Sequence, residues 1–166
     1  MVASKPPSRA SRPPPKKSGV QAAVRVRATP LLLVVDDLRD NREMYVEYLE
    51  YSGFDVISAT NGHEAVALAI AHRPDVLIMD LSLPGMDGWE ATALLRATPA
   101  TKDLLIIAVS GHVETQFERR AMTVGCDKFV AKPCLPQDLV SHVREQLALR
   151  GAAAGSRTRA RRGKKG

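Results

Sequence analysis

Short unbroken apolar runs recur along the chain: Leu31 to Val35, Val76 to Met79, Leu104 to Val109, and Phe129 to Ala131 after Lys128. A strand buried on both faces reads this way, and such strands belong to parallel sheets covered by helices. Asp55 to Ala59 alternates only in part and predicts a strand nearer an edge. Between the runs the apolar spacing turns helical. Tyr45, Val46 and Leu49 share one face of Arg42 to Leu49; Ala65, Leu68 and Ala69 share one of Glu64 to Ala71; Ala91, Leu94 and Leu95 share one of Glu90 to Leu95. Ser52-Gly53-Phe54 closes the first helix. A fourth helix is expected over about Thr115 to Val124, stopping at Gly125, and a fifth over about Pro136 to Leu149, stopping at Gly151. Five βα units in succession imply right-handed crossovers and a doubly wound α/β sheet, whose ligands gather outside the carboxyl ends of the strands.

Those ends carry a complementary set of side chains. Leu31 to Val35 delivers Asp36 and Asp37, Val76 to Met79 delivers Asp80, Leu104 to Val109 delivers Ser110, and Lys128 to Ala131 delivers Lys132. One polar residue at a strand exit is ordinary, because loops are polar. Five of matching chemistry are not. Two unit charges about 4 Å apart at an effective dielectric near 20 repel by roughly 4 kcal/mol, so three neighbouring carboxylates need a cation. An all-oxygen site of few carboxylates suits Mg²⁺, which keeps waters and accepts phosphate oxygens. Asp37 and Asp80 are expected to ligate it directly and Asp36 partly through water. Lys132 would balance the remaining charge and grip a phosphoryl oxygen, and Ser110 would donate a hydroxyl to the same group. Plainer roles stand beside these: a surface lysine before Pro133, and a helix N-cap at Ser110. A carboxylate beside Mg²⁺ and an ammonium can take a phosphoryl group as an acyl phosphate.

Four segments, Val34-Val35-Asp36-Asp37, Ile78-Met79-Asp80-Leu81-Ser82-Leu83-Pro84-Gly85-Met86-Asp87-Gly88, Val109-Ser110-Gly111 and Ala131-Lys132-Pro133, together resemble the response regulator receiver domains of two-component signalling. The resemblance covers about Pro30 to Leu149. It implies a flavodoxin-like (βα)5 sheet of strand order 2-1-3-4-5, and a domain over 30–150. It implies that Asp80 accepts phosphate from a histidine kinase or phosphotransfer protein, with Asp36, Asp37 and the Ser82 backbone carbonyl in the Mg²⁺ site. Ser110 and Phe129 take the switch positions; Phe129 replaces the commoner tyrosine, so a phenol hydrogen bond to the helix-four loop is unavailable, and an ordinary half-buried aromatic is the competing role. Ser82 and His112 flank the entrance and are expected to tune phosphate lifetime, with a solvated loop residue as the alternative for His112. Output would pass through the surface of helix four, strand five and helix five, to an unknown partner or to a second copy. Such a module catalyses only its own phosphorylation and dephosphorylation.

Charge separates the ends from the middle. Residues 1–29 hold Lys5, Arg9, Arg12, Lys16, Lys17, Arg25 and Arg27 and no acid; 151–166 hold Arg157, Arg159, Arg161, Arg162, Lys164 and Lys165. The chain's net +6 therefore leaves the middle at −7. Pro6-Pro7 and Pro13-Pro14-Pro15 favour extended chain, and neither end can bury a core, so both read as disordered basic tails around a receiver that stands alone. The tails either contact a polyanion such as nucleic acid or serve as solvated extensions. Without aromatics, any nucleic-acid contact would be nonspecific and salt-sensitive. A phosphate-independent interaction module working through these tails is the second reading of the chain, and a metal-dependent phosphatase is a third. No apolar stretch approaches the ~18 residues of a membrane span, so a cytoplasmic location is expected. Cys126 and Cys134 lack metal-site spacing and read as reduced thiols, and Trp89 as packing against a neighbouring helix.

Overall fold

The computed structural model describes residues 27–162, with side chains described to residue 154. Five strands alternate with five helices: β1 Leu31–Val35, α1 Arg39–Tyr51, β2 Asp55–Ala59, α2 Gly62–His72, β3 Val76–Asp80, α3 Gly88–Ala97, β4 Leu105–Ser110, α4 Thr115–Val124, β5 Lys128–Ala131 and α5 Pro136–Arg162. All strand pairs are parallel, in the order β2-β1-β3-β4-β5. The partly alternating β2 takes an edge, as its pattern predicts.

The strands read as unbroken apolar runs because each alternates between two cores. Leu33, Val35, Leu77, Met79, Ile106 and Ala108 face α2, α3 and α4, meeting Ala65, Ala69, Ala91, Leu95 and Ala121. Leu32, Val34, Val76, Ile78, Ile107 and Val109 face the other way, against Tyr45 and Leu49 of α1 and Leu139, Val140 and Val143 of α5. Each fully buried Leu or Ile contributes about 1.5–3 kcal/mol, which fixes register and so fixes what stands at each strand tip. From β1 the chain turns first to one side, to β2, and then to the other, to β3. The switch point lies between β1 and β3, where Asp36 and Asp80 emerge.

The β3–α3 segment folds back on Asp80. Gly85, after Pro84, has φ 73°, in the left-handed region that favours glycine. At Gly88 a Cβ would fall on the Asp80 carbonyl and 2.7 Å from the Leu81 Cα, and Gly88 N donates to the Leu81 carbonyl at 3.3 Å. Asp87 then caps α3 reciprocally: its side chain accepts from Glu90 N at 2.8 Å, and the Glu90 carboxylate accepts from Asp87 N at 3.2 Å.

At the carboxyl end the structure corrects one expectation. Gly151 does not stop α5, which continues to Arg162, so much of the segment read as a disordered tail over 151–166 is helical. A helix-interior glycine costs only about 1 kcal/mol relative to alanine, and Ala152-Ala153-Ala154 are the strongest helix formers. Residues 1–26 of the amino-terminal tail, and 163–166 with Lys164 and Lys165, lie outside the described residues.

Candidate functional site

Asp80 is the last residue of β3, Ser110 the last of β4, Asp36 follows β1, and Lys132 follows β5. Backbone bonds beyond the ladders hold these tips in place. Asp36 N donates to Ala59 O at 3.3 Å, Leu81 N to Val109 O at 3.2 Å, and Lys132 N to Ser110 O at 2.7 Å. The positions are therefore set by the sheet, with little left to loop freedom.

The Lys132 ammonium bridges two buried carboxylates, donating to Asp36 Oδ2 at 2.9 Å and Asp80 Oδ2 at 2.8 Å. Asp36 and Asp80 are 2% and 5% exposed, so neither charge would persist there unpaired. Their remaining oxygens are also engaged: Asp36 Oδ1 accepts from Leu38 N at 2.9 Å, and Asp80 Oδ1 from Ser82 N at 2.8 Å. Burial pulls the Lys132 amine down, but the hydrogen bonds and charges of Asp80 and Asp36 outweigh it and hold the amine above its ordinary value. It is an ammonium throughout the physiological range.

Asp37 stays exposed, yet one of its oxygens lies within 4.8 Å of oxygens of both Asp36 and Asp80. Two negative charges are met by one positive charge, and a third carboxylate faces them. Oxygen ligands from three carboxylates at this spacing fit a divalent hard cation, and Mg²⁺ in particular, because only part of its shell comes from protein.

Ser110 is fully buried, and its hydroxyl oxygen accepts from His112 N at 3.1 Å, which leaves its O–H available as a donor. It does not cap α4, whose N-cap is Glu114. His112 is exposed and lies stacked on Phe117, with ring centroids 4.7 Å apart. Ser82 is exposed and meets Asp80 through its N–H. Phe129, half-buried on β5, packs against the core beneath α2, α3 and α4. Trp89 is 8% exposed under the Arg120 guanidinium, 4.6 Å from its ring centroid, and neighbours Phe117 of α4. Cys126 and Cys134 are both free and buried. Asp36, Asp37, Asp80 and Lys132 thus converge as their strand-end positions predict, with Ser110 at the adjacent tip. The sequence reading missed Arg42 and Tyr45 of α1, which bind the backbone of this site; a tyrosine on a buried helix face, whose hydroxyl must find a partner, was the available signal.

Residues 32–144 match the family model of the response regulator receiver domain. The chain belongs to this family. Among curated relatives of this receiver, the phosphate regulon transcriptional regulatory protein PhoB of Pseudomonas aeruginosa is 32% identical over 120 residues, covering 72% of this chain and 52% of PhoB. The polar-differentiation response regulator DivK of Brucella anthropi is 30% identical over 116 residues, covering 70% of this chain and 94% of DivK. The solved structure of the chemotaxis protein CheY4 of Vibrio cholerae superposes with a TM-score of 0.68 at 29% identity, over 71% of this chain and 98% of that one. The receiver spans about half the length of PhoB and nearly all of DivK and CheY4. Receiver domains bind Mg²⁺ at an acidic pocket and interact with histidine kinases or phosphotransfer proteins, generally as signalling modules and not as enzymes. Among the described residues no helix is long and apolar enough to cross a membrane.

Proposed function

We propose that Asp80 is the phosphoacceptor of this receiver, taking a phosphoryl group from a phosphohistidine of a kinase or phosphotransfer protein. The observation that carries this reading is the Lys132 ammonium bridging Asp36 and Asp80, with Asp37 within 4.8 Å. An Asp80 carboxylate oxygen attacks phosphorus; the new O–P bond forms as the P–N bond breaks, and the bonding pair stays with the imidazole nitrogen. The nucleophile is already oriented, since its two oxygens are held by Ser82 N and by Lys132. Lys132 then transfers its contact to a phosphoryl oxygen. Ser110 donates its hydroxyl to another.

Asp37 and Asp80 would hold Mg²⁺ directly, Asp36 through water, and the Ser82 carbonyl would complete the protein's share. The ion supplies charge neutralisation between the carboxylates and the phosphoryl oxygens. Movement at Ser110 and Phe129 reshapes the surface of α4, β5 and α5, where a downstream protein or a second copy docks. Transfer and hydrolysis are self-catalysed, Ser82 and His112 tune the lifetime of the acyl phosphate, and the setting is the cytoplasm. The second reading, a phosphate-independent module whose basic ends bind nucleic acid, draws on Arg157, Arg159, Arg161 and Arg162 at the end of a continuous α5.

Incubation with acetyl phosphate and Mg²⁺ tests the first reading. It should give one base-labile phosphoryl adduct per chain, lost in Asp80→Asn and on chelation. A wild-type chain that incorporates no phosphate, while its basic ends still bind DNA, would leave only the second reading.

A further inference from the structure

Helix α1 reaches both backbone segments that carry the ion pair of the site. Arg42 Nη1 donates to the Asp36 carbonyl at 2.8 Å. One turn on, at the i+3 position on the same face, the Tyr45 hydroxyl donates to the Cys134 carbonyl at 3.0 Å, two residues beyond Lys132. The Tyr45 bond is buried, joins positions 89 residues apart in sequence, and belongs to a side chain only 4% exposed. Burial, ahead of its charged neighbours, holds the phenol above its ordinary pKa, so the hydroxyl stays a donor at neutral pH. Ring and loop also pack together, since Tyr45 and Cys134 share a core cluster with Leu139 and Val140.

Packing alone would be served by a phenylalanine. What the hydroxyl adds is a fixed point on the backbone after β5. The segment bearing Lys132 is held on one side by its own N–H on the Ser110 carbonyl and on the other by Tyr45. A lysine ammonium sits on a flexible four-carbon stem, so its place depends on where that stem starts and on the acceptors it finds.

We propose that Tyr45 is a positioning residue for phosphoryl transfer: by holding the Cys134 carbonyl it sets the origin of the Lys132 side chain, so that the ammonium stands where a phosphoryl oxygen arrives. The proposal rests on the reading of Asp80 as phosphoacceptor. It acts through the origin of the Lys132 side chain, while Asp36 and Asp80 keep their own bonds from Leu38 N and Ser82 N, so a shift at Lys132 falls on transfer more than on ion binding.

The test uses the full chain, acetyl phosphate and Mg²⁺. Tyr45→Phe should phosphorylate with a maximal rate constant about tenfold below wild type, the scale expected when a reacting group is displaced by a fraction of an ångström. The half-saturating Mg²⁺ concentration should stay within about twofold, because Leu38 N and Ser82 N still hold the Asp36 and Asp80 carboxylates in place. In a Lys132→Ala background the same substitution should cost nothing further, and where that double variant is too slow to score, the split between rate and Mg²⁺ affinity decides. A Tyr45→Phe chain as fast as an active wild type overturns this proposal alone. So does one whose Mg²⁺ affinity falls in parallel with its rate. A wild-type chain that takes up no phosphoryl group overturns the reading of Asp80 and this proposal with it.

Discussion

Replacing Asp37 by asparagine should make the chain more stable in the absence of Mg²⁺. Asp36, Asp80 and Lys132 together present one net negative charge to Asp37, from oxygens within 4.8 Å. Two unit charges at that distance repel by ~3.5 kcal/mol at an effective dielectric near 20 and by ~0.9 kcal/mol in water. Asp37 is exposed, so the repulsion falls between these limits, about 1–3 kcal/mol. No hydrogen bond of its side chain among the described residues offsets this. The amide keeps the shape and removes the charge. Urea unfolding in chelator-treated buffer should therefore show Asp37→Asn with a higher midpoint and an unchanged slope. Adding Mg²⁺ should close the gap. At a hundred times its dissociation constant a native-state ligand adds about 2.7 kcal/mol, and wild type alone should gain it in full. An Asp37→Asn chain that is less stable than wild type without Mg²⁺, or that gains as much from Mg²⁺, would mean that Asp37 is not repelled by its neighbours.

Lys132→Met should behave oppositely, costing about 3–5 kcal/mol in chelator-treated buffer, because it leaves two buried carboxylates facing each other without a cation; an unchanged unfolding free energy contradicts this. Gly88→Ala puts a methyl onto the Asp80 carbonyl and the Leu81 Cα, and should cost about 1–3 kcal/mol while slowing phosphorylation of Asp80, as read by denaturation and by acetyl phosphate labelling. Burial pushes the Cys126 thiol from its ordinary value of 9.0 up to about 11. The fold favours its protonated form, so that stabilisation is intact below pH 9 and is lost as pH rises through 11, up to about 3 kcal/mol in all. Unfolding of wild type and Cys126→Ala at pH 8 and pH 11 should diverge by that amount, and a constant difference between them would contradict the burial argument.

The sheet and the site were legible for one reason. An apolar run that must fill two cores can contain no polar residue, so the first polar residue after it marks the strand tip, and Asp36, Asp80 and Lys132 were found in this way. Helix ends were less legible. The Asp87-x-x-Glu90 capping box was present in the sequence and marks the start of α3 at Gly88. Gly151 suggested a stop because glycine favours helix ends, but the three alanines after it carry the helix onward. Arg42 and Tyr45 escaped notice because their partners are backbone carbonyls. A carbonyl has no residue type to recognise, and only the folded α1 brings the two side chains to Asp36 and Cys134.

If Asp36, Asp37, Asp80 and Lys132 form one pocket built for a divalent ion beside a nucleophilic carboxylate, a Mg²⁺ substitute should settle among them. A crystal grown with Mn²⁺ in place of Mg²⁺ would locate the ion by its anomalous signal. One strong peak is expected, bonded to the carboxylates of Asp37 and Asp80, with the Lys132 ammonium beside it. A crystal whose Mn²⁺ lies elsewhere, with the strand tips of β1 and β3 free of metal, would contradict such a pocket.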